Sequence, residues 1–352
     1  MQNKNTKGRG FVVLSSLLTI VGLSTGLLVS TAENTATPTS AGLVQLVRPV
    51  SFAASQTTRE VDLLFTGDVM LARSIGQRIE ADEDPFAYVQ STIDEHDISV
   101  ANIETTIADP SIASQAAKPY TFNAPLSSLQ TLKNAGIDVS SLANNHTGDF
   151  GRLATQDTID QFASVGLVTV GAGSTIEDAF QHVLVTEQGI SVAFIAVNDI
   201  ELVHTKVSDG VAGSAYLDRD LIANSIQRAK RDGADAVVIL PHWGIEYSPV
   251  ASAQQTEWGR FMIDSGADLV IGGHPHVVQP TEHYNGGQIV YSLGNFIFDG
   301  MPANARIGQM ASVSITVDET YVANTMLEKD VLIGDLESIP IEINSQGFPE
   351  LR

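Results

Sequence analysis

The chain has 352 residues, 43% of them hydrophobic and 17% charged, enough apolar material for a large buried core and too much for global disorder. Acidic residues outnumber basic ones 41 to 19, and the net charge of -22 repels phosphates and anionic headgroups, which argues against nucleic acid as a partner. Cysteine is absent, so disulfides, thiolate metal sites and thiol nucleophiles are excluded, and any metal must sit on His, Asp, Glu, Asn or water.

Lys4, Lys7 and Arg9 precede an apolar stretch from Phe11 to about Val29, the layout of an export segment. Its length matches the ~18–20 residues that cross a bilayer and leaves open both cleavage around Ser30 to Ala36 and retention as a single membrane anchor. The preceding positive charges keep the first residues cytoplasmic and place the remainder on the extracytoplasmic face, anchored or, after cleavage, secreted. The expected organisation is a signal peptide or anchor at 1–31, then a linker rich in Thr, Ser and Ala at 32–58 that carries Pro38 and Pro49. A main domain at 59–300 and a C-terminal β extension of the same domain at 301–352 complete it, with no internal repeat and no second core.

From Val61 onward, short apolar runs alternate with amphipathic segments, which predicts an α/β domain. In chain order the runs predict strands at Val61–Thr66, Ile98–Asn102, Val139–Leu142, Ala236–Leu240 and Asp268–Ile271. Helices are predicted at Phe86–Glu95, Leu126–Ala135, Leu153–Val165, Leu217–Arg231 and Gln254–Asp264. His182–Thr186 and Ser191–Val197 flank Glu187–Gly189 and read as a hairpin, and Gln288–Tyr291 follows the turn Asn285-Gly286-Gly287. The sheets are therefore expected to be mixed. Beyond Ile307, Ala311, Val313, Ile315 and Val317 alternate with polar residues and predict further β structure.

Five strand ends release polar residues able to hold a metal: Gly67-Asp68, Asn102-Ile103-Glu104, Asn144-Asn145-His146, His242-Trp243-Gly244 and Gly273-His274-Pro275-His276. In open α/β sheets, ligands bind at the carboxyl ends of strands. Alone, Asp68 reads as a helix cap or turn residue, Asn144-Asn145-His146 as a turn, and His242 as a hydrogen-bonded histidine. His274 and His276 are more specific, because side chains two apart share a face of an extended segment that Pro275 stiffens. Their joint occurrence at successive strand ends is hard to attribute to capping.

These strings, with Phe65-Thr66-Gly67-Asp68-Val69-Met70-Leu71 at the start and Ser292-Leu293-Gly294-Asn295-Phe296-Ile297-Phe298-Asp299 at the end, resemble the bacterial capsule-synthesis CapA family, the PgsA-type poly-γ-glutamate synthesis proteins. The resemblance spans about Val61 to Asp299. It implies a calcineurin-like metallophosphoesterase fold, a pair of mixed β-sheets flanked by helices around a two-metal centre. It also implies tethering to the outer membrane face beside the subunits that synthesise and export an anionic capsule polymer. Asp68, Glu104, Asn145, His242, His274 and His276 would match metal ligands, and His146 the histidine that contacts phosphate and protonates the leaving group. Carboxylate, amide and imidazole ligands suit one or two ions of Mn²⁺, Zn²⁺ or Fe²⁺, which activate water and clamp a phosphoester. A histidine with its ordinary pKa of ~6.5 serves as general acid.

Two positions depart from the phosphoesterase pattern. Its Asp-x-His is here Asp68-Val69-Met70, and a thioether is an inadequate ligand for such an ion. Glu104 stands where an aspartate is usual. Asn102, Asn144, Glu246 and Asn295 are candidates to orient ligands or replace an oxygen donor. His96 and His182 are expected on helix and strand surfaces in solvated or capping roles, His283 in a hairpin, and Phe296 and Phe298 in the core; Trp243 and Tyr247 read equally as cleft or packing residues. Three functions stay open: a metal-dependent phosphoesterase-like hydrolase of capsule assembly, a non-catalytic metal-binding accessory subunit, and a metal-dependent amidase acting on the polymer. An anionic polymer would need metal or a local basic patch, and Lys118, Arg152, Lys206 and Arg219 are too scattered to predict one.

Overall fold

The structure, a computed structural model, describes residues 54–322 and 325–352. The export segment and the linker as far as residue 53 lie outside the described residues, among which no helix is long and apolar enough to cross a membrane. Along the chain run β1 (Ala54–Val69), α1 (Arg73–Glu80), α2 (Gln90–Asp94), β2 (Ile98–Ile103), α3 (Ser127–Ala135), β3 (Val139–Ser141), α4 (Gly151–Val165), β4 (Val168–Val170), β5 (Ala172–Gly173), α5 (Ile176–Ala179), β6 (Val183–Glu187) and β7 (Ile190–Asn198). Then come α6 (Leu202–Thr205), β8 (Gly213–Ser214), α7 (Arg219–Arg231), β9 (Ala236–His242), α8 (Ala253–Asp264), β10 (Leu269–Ile271), β11 (Thr281–Tyr284), β12 (Gly287–Val290), β13 (Asn295–Ile297), β14 (Ile307–Val322), β15 (Thr325–Ile333), β16 (Glu337–Ile343) and β17 (Pro349–Leu351).

Nine strands form one sheet in the order β17-β16-β14-β1-β2-β3-β4, with β13 beside β1 and β15 beside β14. Six form the second, β11-β12-β10-β9-β7-β6, and β5 pairs with β8 alone. Both large sheets are mixed: β1 to β4 are parallel and β14 antiparallel, while β6 and β11 run against the parallel β7, β9, β10 and β12. Alternation along each strand sorts side chains into layers. Leu63, Phe65 and Val100 of the first sheet meet Phe194, Val238 and Ile271 of the second in a central apolar layer. The intervening Leu64 and Ala101 turn outward to α1, α3 and α4, and Val237 and Ile239 turn outward to α7 and α8. The strands are buried on both faces, so they read as continuous apolar runs. The single expected core is thus three apolar layers of one stacked α/β domain, the sheet pair flanked by helices that the family resemblance implied.

Part of the acidic excess is architectural. Asp97, Asp138, Asp235 and Asp268 stand just ahead of β2, β3, β9 and β10. Each accepts an amide of the neighbouring strand, from Asp62 at 3.0 Å, Ser99 at 2.8 Å, Ser191 at 2.9 Å and Val237 at 2.7 Å respectively. These carboxylates cap the amino ends of the sheets and leave the carboxyl ends for chemistry.

The helices near 126–135, 153–165, 217–231 and 254–264 and four of the five strands form close to their expected bounds, whereas β1 runs from Ala54 to Val69, well beyond the expected Val61–Thr66. Phe86–Glu95 does not: α2 is limited to Gln90–Asp94, because the Asp84 side chain takes the Phe86 amide at 2.9 Å in a local turn. Residues 54–58, expected in the linker, are strand residues paired with 318–322. The C-terminal segment is β structure of the same sheet, with β14 lying directly against β1 in its centre.

The pairing of β1 with β2 shifts register between Phe65 and Asp68, a bulge that re-aims Asp68 at the strand end. Gly67 in this bulge approaches the 294 carbonyl so closely that a Cβ would sit 2.1 Å from its oxygen. Gly67→Ala is expected to destabilise the protein by about 1–3 kcal/mol, read by denaturant unfolding, and to disturb Asp68; wild-type stability would refute this packing.

Candidate metal centre

Each motif reaches the centre from the carboxyl end of a strand: Asp68 from β1, Glu104 from just after β2, Asn145 and His146 from the loop after β3, His242 as the last residue of β9, and His274 and His276 from the loop after β10. Glu104 lies in the middle. Its Oε1 is 3.7 Å from Nε2 of each of His146, His242 and His276, and the residue is fully buried. Neither of its oxygens has a hydrogen-bond partner among the described residues. Burial pushes its carboxyl well above the usual range, and Asp68 adds to this against the opposing His276 and Lys118.

The remaining donors converge on the same space. His242 Nε2 lies 2.8 Å from Asn145 Oδ1 and 3.2 Å from His274 Nδ1. His276 Nδ1 lies 3.2 Å from Asp68 Oδ2 and 2.9 Å from Asn295 Oδ1. Ligand atoms of Glu104, His274 and His276, and likewise of Asp68, Glu104 and His242, all fall within 4.8 Å of one another. Burial, then the neighbouring imidazoles, hold His242 and His274 well below the usual histidine range, the direction that favours the electron-pair-donating form. For His276 burial acts in the lowering direction, but the Glu104 and Asp68 carboxylates prevail and raise it to about 9. Four imidazoles around an unpartnered carboxylate fit a divalent cation, whose charge would satisfy that carboxylate.

Three asparagines hold the frame. Asn102 Nδ2 donates to Asp68 Oδ1 at 2.8 Å and lies 3.2 Å from His242 Nδ1. Asn144 donates to the Ile103 carbonyl at 2.8 Å and accepts the His146 amide at 3.1 Å. Asn295 Nδ2 donates to the His276 carbonyl at 3.1 Å, fixing that loop from below. Glu246, in contrast, is exposed on the loop after β9 and belongs to neither ligand group. His274 and His276 do not share the face of an extended segment as expected: their φ values are 93° and 59°, and two left-handed turns bring the rings within 5.7 Å. Met70 packs in the apolar layer with Leu71 and Ile75, where its sulfur accepts the Ala72 amide at 3.1 Å. Trp243 is a packing residue that donates to the Tyr291 carbonyl at 2.9 Å, and His182 is buried beside Asp232, not solvated.

Sequence reading missed Asp149. Its Oδ2 lies 2.6 Å from His146 Nδ1 and accepts the Phe122 amide at 2.6 Å; its Oδ1 meets Lys118 Nζ at 2.7 Å. The available signal was the spacing His146-x-x-Asp149, three residues in one turn. Lys118 Nζ also donates to the Asn145 carbonyl at 2.8 Å and to Glu201 at 2.6 Å, so it ties the loop after β3 to the loop after β7. Burial lowers His146 and Asp149 opposes that shift, while the Phe122 ring stacks on the imidazole at 4.2 Å. The pair is arranged as a fixed imidazole whose Nε2 faces the centre.

A model of the family described as bacterial capsule synthesis protein PGA_cap matches residues 62–300. The PGA biosynthesis protein CapA of Bacillus subtilis (strain 168) is 33% identical over 238 residues, 67% of this chain and 62% of that protein. The capsule biosynthesis protein CapA of Bacillus anthracis is 31% identical over 263 residues, 73% of this chain and 64% of that protein. The chain therefore spans less than two thirds of the length of these relatives. A 5'-nucleotidase precursor from Thermus thermophilus is a partial structural likeness, 11% identical over 80% of this chain and 55% of that one at a TM-score of 0.46. With the match running from β1 through the last ligand loop, the chain belongs to the bacterial capsule synthesis PGA_cap family.

Proposed function

We propose that the protein is an extracytoplasmic, metal-dependent hydrolase of capsule or poly-γ-glutamate assembly that cleaves a phosphoester. The observation that carries this reading is Glu104, a fully buried carboxylate inside a ring of imidazoles with no hydrogen-bond partner among the described residues. Asp68, Glu104, Asn145, His242, His274 and His276 would hold one or two ions of Mn²⁺, Zn²⁺ or Fe²⁺. Such a metal, when bound, supplies Lewis acidity and lowers the pKa of water.

The chain's own residues supply the rest. Asp149 accepts from His146 Nδ1 and leaves Nε2 as the proton-delivering atom, and Phe122 fixes the ring plane. Burial makes the imidazolium a stronger acid than a free one, suited to passing its proton to a leaving oxygen. Asn102, Asn144 and Asn295 restrain the ligands so that little reorganisation accompanies the reaction. The basic-then-apolar segment within residues 1–31 supports the external location, with residues 32–53 as the connecting tether. Polymer synthase and export subunits are the proposed partners, in keeping with the relatives named for PGA and capsule biosynthesis.

A second reading, a metal-binding accessory subunit without turnover, is favoured by Met70, which packs in the core where the phosphoesterase pattern has a histidine ligand. Against it stands the His146–Asp149 pair, for which a scaffold has no use.

Metal content and turnover separate these readings. Joint replacement of His274 and His276 by Ala is expected to remove bound metal, and a chelator should lower Tm in the wild type while leaving that variant unmoved. Metal retained at wild-type level would overturn the ligand assignment. His146→Ala should keep its metal and lose turnover of aryl phosphoesters by on the order of 10²–10⁴-fold, with Asp149→Asn losing about 10²-fold or more. An undiminished rate in either would remove the pair from the reaction, and bound metal with no turnover of any phosphoester by the wild type would favour the accessory reading.

A further inference from the structure

Among the described residues, eight non-glycine positions have φ in the left-handed region, and five of these surround the centre: Arg73 (53°), Glu201 (49°), Tyr247 (60°), His274 (93°) and His276 (59°). Such conformations cost on the order of 1–3 kcal/mol and persist where the surroundings enforce them, often at functional sites. His274 and His276 are candidate ligands, and Glu201 pairs with Lys118. Arg73 and Tyr247 have no part in the chemistry described so far.

Arg73 follows directly on the first motif. Its guanidinium carbon lies 4.8 Å from the Phe122 ring centre and 5.8 Å from that of Phe298. Phe122 stacks on His146, and Phe298 meets His276 at 5.0 Å. The cation therefore stands one ring away from both the candidate acid and a candidate ligand. Asp299 fixes one end of the fork, since Arg73 Nη2 donates to its carbonyl at 2.6 Å and pairs with its carboxylate. Nη1 and Nε have no acceptor among the described residues, and the side chain is 36% exposed. On the other flank of His276, the Tyr247 ring lies 6.1 Å from the imidazole, with its amide held by the Pro275 carbonyl at 2.7 Å. The Tyr247 hydroxyl has no partner among the described residues, which leaves it available as a donor.

The basic residues singled out in the sequence do not serve this role. Lys118 is committed to Asp149, Glu201 and the Asn145 carbonyl. Arg152 donates to the Ala212 carbonyl, Lys206 sits over Tyr216 at 3.6 Å, and Arg219 pairs with Glu257 beside Trp258. A chain of net charge -22 needs a local cation to admit an anion, and Arg73 offers one with a fork suited to paired oxygens.

We propose that Arg73 and Tyr247 form an anion subsite at the mouth of the metal centre, which receives a carboxylate or phosphate of the substrate beside the group that reacts. The proposal rests on the metal-centre reading for its role, but binding at the subsite does not require turnover. A carboxylate source is γ-linked glutamate, with a free α-carboxylate on every residue; the phosphate source is a second phosphoryl group.

The test is isothermal titration of the metal-loaded full chain with a short γ-linked glutamate oligomer and, separately, inorganic phosphate. Arg73→Met is expected to weaken at least one ligand about tenfold and Tyr247→Phe by a smaller factor, with metal content and Tm as in the wild type. Loss confined to the oligomer identifies the carboxylate source, and loss confined to phosphate the other. The proposal is overturned if the wild type binds neither ligand, or if both variants bind both ligands as the wild type does. Should Arg73→Met not fold, Arg73→Lys, which keeps charge without the fork, and Tyr247→Phe carry the test. Aryl phosphate turnover in the same samples separates the two claims: hydrolysis without subsite binding removes the subsite alone, and subsite binding without hydrolysis removes the reaction alone.

Discussion

A carboxylate buried without a hydrogen-bond donor is expensive, and Glu104 is fully buried with no donor to it among the described residues. Everything around it is arranged toward its charge. Three Nε2 atoms stand at 3.7 Å from one oxygen, too far for good hydrogen bonds and close enough to share an ion with it. Burial lowers three of the four neighbouring histidines, His146, His242 and His274, while the Glu104 and Asp68 carboxylates raise the fourth, His276, a compromise among groups crowded into one buried space. A cation of charge two would replace that compromise with direct ligation.

The fold makes such a centre by giving opposite ends of its parallel strands different work. At the amino ends, Asp97, Asp138, Asp235 and Asp268 saturate neighbouring amides and fix the strand pairing. At the carboxyl ends the chain leaves the sheets through a bulge at Asp68 and left-handed turns at His274 and His276, each pointing a side chain where a regular strand would not. Strain at these points is held by the asparagine frame and by main-chain closeness that only glycine permits, as where Gly67 meets the 294 carbonyl. The same packing continues through Phe122, stacked on His146, and Phe298, against His276.

Much of this was legible in the sequence because the buried parallel strands are short apolar runs, and chemistry follows each one immediately. The run 236–240 became β9 and delivered His242 at its end, and the motif at 273–276 supplied a histidine pair whose convergence the structure shows. What was not legible depended on partners distant in sequence. The placement of β14 against β1 joins residues about 250 apart, and no local pattern marks it. The extended segment expected at 274–276 gave way to turns because tertiary contacts override local preference. Asp149 escaped because a single acidic residue after a turn reads as a cap until its bond to His146 is seen. Lys118 and Arg73 look alike as isolated basic residues; only packing makes one a buried strut and the other an open donor.

The most direct measurement is anomalous diffraction from crystals of the purified chain, recorded at the manganese, iron and zinc edges. The account expects an anomalous peak within bonding distance of a Glu104 carboxylate oxygen and of imidazole nitrogens among His242, His274 and His276. A metal-saturated chain whose anomalous peaks lie elsewhere, with Glu104 hydrogen-bonded to protein or water alone, would contradict it.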